Sequence, residues 1–238
     1  MSAKTASSRA EPLRGALGTR RDIRRRLLLH HLPLAIGTSA GLAVLIAISP
    51  SRGGFALSQL ASPTGDVALV LLAITLLVGP ANLLLRRRNP INTYLRRDVG
   101  TWTAIYSVVH VIVGFQGHGG GPFAFVDYFF VDGRPLIDSF GLGNWTGLAA
   151  TVIVVALLVI STDRSLRELK AKRWKDLQRL NYTLFALVVA HAVFYGALTQ
   201  MVSPFALILV VTVIVVLLGQ AVGIWLWRRR RARTADVT

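Results

Sequence analysis

Two histidines stand where a polar side chain is least expected. His191 lies near the middle of Leu180–Gln200, an otherwise apolar run, and His110 lies in a second such run, Val99–Gly117. An ionisable residue at bilayer depth is costly enough that its default reading is functional, with a partner to be found. Each histidine stands eleven residues beyond the start of its run. At about 1.5 Å of rise per residue, both lie roughly 16 Å along their helices, near mid-membrane. Two co-directional helices would then present imidazoles at one level, from opposite sides of a flat macrocycle. A neutral imidazole gives one ring nitrogen to iron, and its other N–H needs an acceptor, which a carbonyl one turn back or Tyr106 would supply. The same placement also suits interhelical hydrogen bonding or a proton relay. Gly114 and Gly117 follow His110 on its own helix face, open to a porphyrin or to close helix packing.

The alternatives to histidine ligation of a haem are few. The chain has no cysteine, which excludes disulfides, thiolate-ligated haem, c-type attachment and protein-ligated iron–sulfur clusters. Its methionines are Met1 and Met201, the latter at a helix end. A haem buried here is left with histidine ligands. The remaining histidines lie at run ends: His30 and His31 at the mouth of the first apolar run, His118 in a glycine-rich mouth after the third. All three read as interfacial.

The elements that position the pair follow from composition. Of 238 residues, 53% are hydrophobic, and mean hydropathy is +0.54. That pattern describes an all-α membrane protein, a six-transmembrane-helix bundle. The spans are Leu27–Ser49, Val67–Leu85, Val99–Gly117, Trp145–Ile160, Leu180–Gln200 and Pro204–Trp227, and none contains Lys, Arg, Asp or Glu. The formal net charge of +16 lies in the linkers and tails, which leaves no soluble basic fold for nucleic acid. Residues 1–26, 86–98, 161–179 and 228–238 hold 8, 5, 7 and 5 Lys/Arg, against two, Arg52 and Arg134, in the opposite loops. The bias puts both termini in the cytosol, in an N-in/C-in topology. Trp145, Trp174, Trp225 and Trp227 near helix ends fit an aromatic belt. The pair Arg20-Arg21 has the outline of a twin-arginine export signal. The long run after it lacks a clear small-residue cleavage site, which favours a basic cytosolic tail.

The longest outer segment, residues 118–144, mixes glycine and proline with an apolar patch, Phe123–Phe130, and three acids, Asp127, Asp132 and Asp138. It reads as a docking surface or as a passive cap. Gly141-Leu142-Gly143 within it is a fragment of a nucleotide-binding fingerprint without the strand and helix that give such a motif meaning.

The stretch from Arg96 to His110, beginning Arg-Arg-Asp-Val-Gly-Thr-Trp, resembles the ferric-reductase-like transmembrane domain. So does the stretch from Lys172 to His191, beginning Lys-Arg-Trp-Lys-Asp-Leu-Gln-Arg-Leu-Asn-Tyr. Within that family the likeness is to the MsrQ-type haem-b membrane subunits of periplasmic methionine sulfoxide reductase systems, and it covers roughly Val67–Tyr195. The resemblance implies a bacterial inner-membrane protein in which residues 27–227 form the transmembrane domain, between basic tails 1–26 and 228–238. It implies that His110 and His191 are the axial ligands of an outer haem b. Relatives commonly place another histidine thirteen residues before the second ligand, where this chain has Gln178. The expectation is therefore one haem, not two. The vacant inner position, lined by Arg96, Arg97, Trp174 and Gln178, would suit a flavin (FMN) or quinone headgroup, a phosphate or a haem propionate. The arginines also suit plain positive-inside anchoring. The cytosolic segments are too short for a nucleotide-binding domain. The expected function is that of an oxidoreductase subunit, passing electrons from a separate cytosolic reductase, a flavin or a quinol to an outer-face oxidoreductase partner or ferric iron. A haemless transporter with a histidine proton relay, and a structural membrane subunit, are the readings from other classes.

Overall fold

The computed structural model of the chain describes residues 24–49, 57–85, 91–116, 124–197 and 203–235. The basic N-terminal tail before residue 24, Arg52, Gly117, His118 and Met201 lie outside the described residues. The helices are α1 (Leu32–Ile48), α2 (Ala61–Leu84), α3 (Ile91–Phe115), α4 (Ser139–Ile160), α5 (Asp163–Gln178), α6 (Leu180–Phe194) and α7 (Pro204–Ala235). A π-helical turn, Leu27–His31, leads into α1. A two-residue hairpin, β1 (Phe130–Val131) with β2 (Arg134–Pro135), lies before α4. Among the described residues, six helical segments are long and apolar enough to cross a membrane. Large apolar side chains such as Ile112, Val152, Val159 and Leu217 point outward, as lipid-facing residues do. The protein is a multi-pass helical membrane protein.

Several spans run beyond their expected limits, α7 to Ala235 among them, and the early starts of α2 and α4 have local causes. α2 begins at Ala61, six residues before Val67, because Pro63 falls in the first turn, where a missing N–H costs nothing. α3 takes in Arg96, Arg97 and Asp98, and its membrane-length segment is Leu95–Phe115. α4 begins at Ser139, since Asp138 caps it: the Asp138 carboxylate accepts from the Gly141 N–H at 2.7 Å. The expectation of charge-free spans is corrected accordingly, for Asp66 and Asp98 both lie within membrane-length helices. The span expected over Leu180–Gln200 is shorter. α6 ends at Phe194, and Gly196 at φ 82° closes it. The Gly196 and Ala197 N–H groups donate to the carbonyls of Val193 and Ala192, a Schellman arrangement. The linker 161–179 is itself helical, as α5, and Trp174 Nε1 ties it to the Ile160 carbonyl at 3.1 Å.

Two antiparallel helix pairs, α2 with α3 and α4 with α6, make the body of the bundle, and α7 packs along α2. Leu69, Leu72 and Leu76 of α2 meet Val154 and Leu157 of α4, Leu184 of α6, and Leu209 and Val216 of α7 in one buried cluster. The α2–α7 contact repairs a backbone fault. Pro80 inside α2 has no N–H for the Leu76 carbonyl, and Gln220 Nε2 of α7 donates to that oxygen at 2.9 Å. Gly223 of α7 admits the Pro80 ring, which would lie 3.1 Å from a Cβ at that position.

The first span is peripheral. Within α1 the buried residue is Thr38, while Ile36, Val44 and Ile48 face outward. A polar knot holds its start. Asp98 of α3 is 0% exposed and accepts from Arg26 Nε at 2.9 and 3.1 Å and from His30 Nδ1 at 2.7 Å, with Arg26 Nη2 also on the carboxylate. Trp102 Nε1 donates to His31 Nδ1 at 3.2 Å, so the His31 proton sits on Nε2, 3.5 Å from Asp98. His30 and His31, read from sequence as interfacial, thus also form part of the α1–α3 junction. The π-turn, with its Leu32 N–H on the Leu27 carbonyl, is what brings both toward Asp98.

Candidate functional site

The structure brings the rings of His110 of α3 and His191 of α6 opposite each other, edge to face. Their ring centroids lie 5.9 Å apart with the planes at 89°. Each is fifteen residues from the start of its membrane-length segment, Leu95 or Asp176. The equal depth expected of the pair holds, but both sit nearer the far end of their helices than mid-span.

The acceptors for their Nδ1 atoms are neither Tyr106 nor a carbonyl of their own helix. His110 Nδ1 meets the Ala61 carbonyl of α2 at 2.8 Å, and His191 Nδ1 meets the Gly143 carbonyl of α4 at 2.7 Å. A carbonyl only accepts, so each Nδ1 carries the proton and each Nε2 keeps a free lone pair. Glycine makes the approach feasible. A Cβ on Gly65 would lie 3.0 Å from His110 Nδ1, and one on Gly147 would lie 2.8 Å from His191 Nδ1. The sequence reading missed both glycines and both carbonyls; the signal was the Thr-Gly step in the first half of the helix paired with each histidine's own, α2 for His110 and α4 for His191.

The pair opens on a cavity of about 600 Å³ between the two helix pairs, walled mainly by apolar and small residues of α2, α3, α4 and α6. Gly114 lines it, with open space where its Cβ would stand. Asp66 also lines it, and its Oδ2 is buried without a hydrogen-bond partner. The far end is closed by aromatic residues. The Tyr195 ring lies 4.9 Å from that of His191, its hydroxyl donates to Asn144 Oδ1, and Asn144 Nδ2 donates to the Tyr128 carbonyl at 2.8 Å. Tyr128 is the buried anchor of the turn Ala124–Tyr128, whose Phe125 and Val126 stay exposed. Gly143, part of the fingerprint fragment, serves here through its carbonyl, which accepts from His191 Nδ1–H, and as a close-packing position against Tyr195.

The donor set fits haem. Two metal–nitrogen bonds near 2 Å plus two ring radii put centroids about 6 Å apart. Nδ1–H bound to a carbonyl is the arrangement that orients a metal-ligating imidazole. Among the described residues no three His, Cys, Asp or Glu side chains converge as a metal-binding group of their own.

Arg96, Arg97, Trp174 and Gln178 all line a second cavity, of about 470 Å³, at the arginine-rich end of the bundle. Arg96 Nε and Gln178 Nε2 are buried there without hydrogen-bond partners. Such orphaned donors are rare and mark a place for an acceptor. The two cavities share Thr103, Val154 and Leu184 in their walls.

A helical membrane bundle with facing imidazoles between two helix pairs defines a class, and sequence comparison agrees with it. The chain belongs to the family of ferric reductase like transmembrane components, whose model matches residues 64–189. That match contains both Thr-Gly steps and His110 and ends two residues short of His191. Among individual proteins, the chain is similar to the protein-methionine-sulfoxide reductase heme-binding subunit MsrQ of Ralstonia nicotianae, at 30% identity over 79% of this chain and 81% of that protein. The subunit of the same name from Bordetella pertussis is 31% identical over 71% of this chain and 75% of its own length. That of Deinococcus radiodurans is 29% identical over 61% and 66%.

Proposed function

We propose that the protein is a haem-b electron-transfer subunit, with His110 and His191 as the axial ligands of one haem. The observation that carries this reading is the facing imidazole pair, 5.9 Å between centroids, with each Nδ1 committed to a carbonyl of a different helix. A haem held by two histidines supplies one-electron transfer without an open iron position. The chain's own residues exclude water, fix the tautomers and leave each Nε2 to the metal. Asp66 offers a polar contact for the edge of the bound group. A proton relay is disfavoured, because both imidazoles end on backbone carbonyls that pass no proton onward.

The arginine-rich cavity is the entry side in this reading. Arg96, Arg97, Trp174 and Gln178 hold a flavin or quinone headgroup or an anionic substituent, with the orphaned Arg96 and Gln178 donors as support. No histidine lines that cavity among the described residues, which supports one haem per chain. Electrons pass from a cytosolic reductase, flavin or quinol across the wall at Thr103, Val154 and Leu184 to the haem. They then pass to an oxidoreductase or ferric acceptor at the outer face. The names of the relatives suggest a methionine sulfoxide reductase as that acceptor. The lysine and arginine bias supports both termini being cytosolic, with a transmembrane domain over 27–227 between basic tails, and the likeness to bacterial relatives supports a bacterial inner-membrane location.

The test is the visible spectrum and haem stoichiometry of the purified protein. A six-coordinate b-type spectrum with one haem per chain is expected, lost or turned five-coordinate by His110→Ala or His191→Ala. A wild-type protein that takes up no haem, reconstitution included, ends the reading.

A further inference from the structure

The two halves of the histidine site repeat one device. On α2 the order is Ala61, Thr64, Gly65; on α4 it is Gly143, Thr146, Gly147. In each, the first residue's carbonyl accepts from the imidazole Nδ1 of the partner helix, at 2.8 Å for His110 and 2.7 Å for His191. The threonine three residues on donates to that same carbonyl, at 3.0 Å from Thr64 and 2.9 Å from Thr146. The single hydroxyl proton of each threonine is shared with the carbonyl four residues before it, Leu60 at 2.6 Å and Leu142 at 2.8 Å, so the donation to the imidazole's carbonyl is one arm of a bifurcated bond. The glycine next in line faces the imidazole edge, with 3.0 Å and 2.8 Å to a Cβ that is not there. The spacings to the histidines match as well: His110 follows Gly65 by 45 residues, and His191 follows Gly147 by 44.

We infer that Thr64-Gly65 and Thr146-Gly147 are a duplicated ligand cradle, in which each glycine seats an axial imidazole and each threonine sets how strongly that imidazole donates to iron. The inference rests on the haem reading above and deepens it. The physical reason lies in the shared carbonyl. An N–H···O=C bond to the far nitrogen raises the basicity of the ligating one. A hydroxyl donating to the same oxygen draws on its electron density and weakens the bond from the imidazole. The threonine therefore moderates ligand basicity and holds the haem potential higher than the carbonyl alone would. The glycine acts by space: a methyl group at either position forces the ring away from its carbonyl or away from the metal. These are positioning residues, since neither touches the metal.

The experiment uses the full chain, purified in detergent and loaded with haem, with optical redox titration as the readout. Thr64→Val and Thr146→Val are each expected to lower the midpoint potential, by similar amounts, and the double variant to lower it further. Thr64→Ser and Thr146→Ser keep the hydroxyl and are expected to keep the wild-type value. Gly65→Ala and Gly147→Ala are each expected to convert the six-coordinate spectrum to a five-coordinate one, while Gly37→Ala, with nothing within 4 Å of its Cβ, leaves it unchanged. If a glycine variant fails to fold, the threonine titrations decide alone. Haem bound through both histidines with no response to the valine variants, or a response in one half only, overturns the duplicated cradle and leaves the haem reading standing. A wild-type protein without haem overturns both.

Discussion

Gln178 occupies the position at which the resemblance leads one to expect a second haem ligand, and its surroundings bear on what a histidine there would meet. Its Oε1 accepts from Asn181 Nδ2 at 3.2 Å, and its Nε2 is buried and unpaired beside a cavity whose opposite wall carries Arg96, Arg97 and Gly100. A histidine at 178 would face guanidinium groups and a glycine, not a second imidazole. Gln178→His is therefore expected to leave the haem content at one per chain, read by pyridine haemochrome assay against protein concentration. A rise to two would show that some residue outside this wall supplies a ligand. His110 and His191 differ from Gln178 in having their far nitrogens already satisfied, so their near nitrogens are ready for a metal at little reorganisation cost.

At the scale of elements, side chains from neighbouring helices complete what each helix lacks. α2 carries Pro80 and a freed Leu76 carbonyl, and α7 supplies Gln220. The same Gln220 accepts from Tyr182 of α6 through Oε1 at 3.2 Å, so one amide joins three helices. Gln220→Leu strands the Leu76 carbonyl away from water and is expected to cost about 1–3 kcal/mol. It should appear as a lower thermal midpoint in detergent with the haem spectrum intact. α1 depends on polar anchoring, since it buries so little else. Asp98→Asn leaves Arg26 without its carboxylate, and Arg26 is partly exposed (34% of its side chain), so the loss is set at about 2–3 kcal/mol, below that for a fully buried pair. Faster proteolysis within residues 24–49, ahead of the rest of the chain, is the expected outcome. Uniform cleavage throughout would show that α1 is held by its apolar face instead.

For the whole molecule, the property to test is the difference between its two ends. The arginine-rich end holds the cavity with Arg96 and Gln178, and the other end holds the histidine cavity under Tyr128 and Tyr195. The native chain has no cysteine, so single cysteines report sidedness cleanly. Ile137, 77% exposed beside the β1–β2 hairpin, and Glu168 on α5 face opposite ends. Ile137→Cys is expected to react with a membrane-impermeant maleimide in intact cells, and Glu168→Cys only after permeabilisation. The reverse pattern would invert the proposed topology.

By itself, the sequence determined the number of spans, the histidine pair and its equal depth. It did so because hydropathy over about 20 residues and a helical rise are local quantities that need no partner. It also brought Arg96, Arg97, Trp174 and Gln178 to attention together, and the fold places all four on one cavity. Tertiary structure decided everything that depends on a second helix. The imidazole acceptors are carbonyls of Ala61 and Gly143, 49 and 48 residues away, because backbone acceptors carry no residue-type signal. The contact of His30 and His31 with Asp98 had no signal in the sequence, because the partners lie 68 and 67 residues apart. The early starts of α2 and α4 were hidden because Pro63, Gly65, Gly141 and Gly143 are turn residues in a loop but neutral or useful in the first turns of a packed helix. The repeated Thr-Gly step was present in the sequence throughout. It acquired meaning only when the fold set each copy against a histidine.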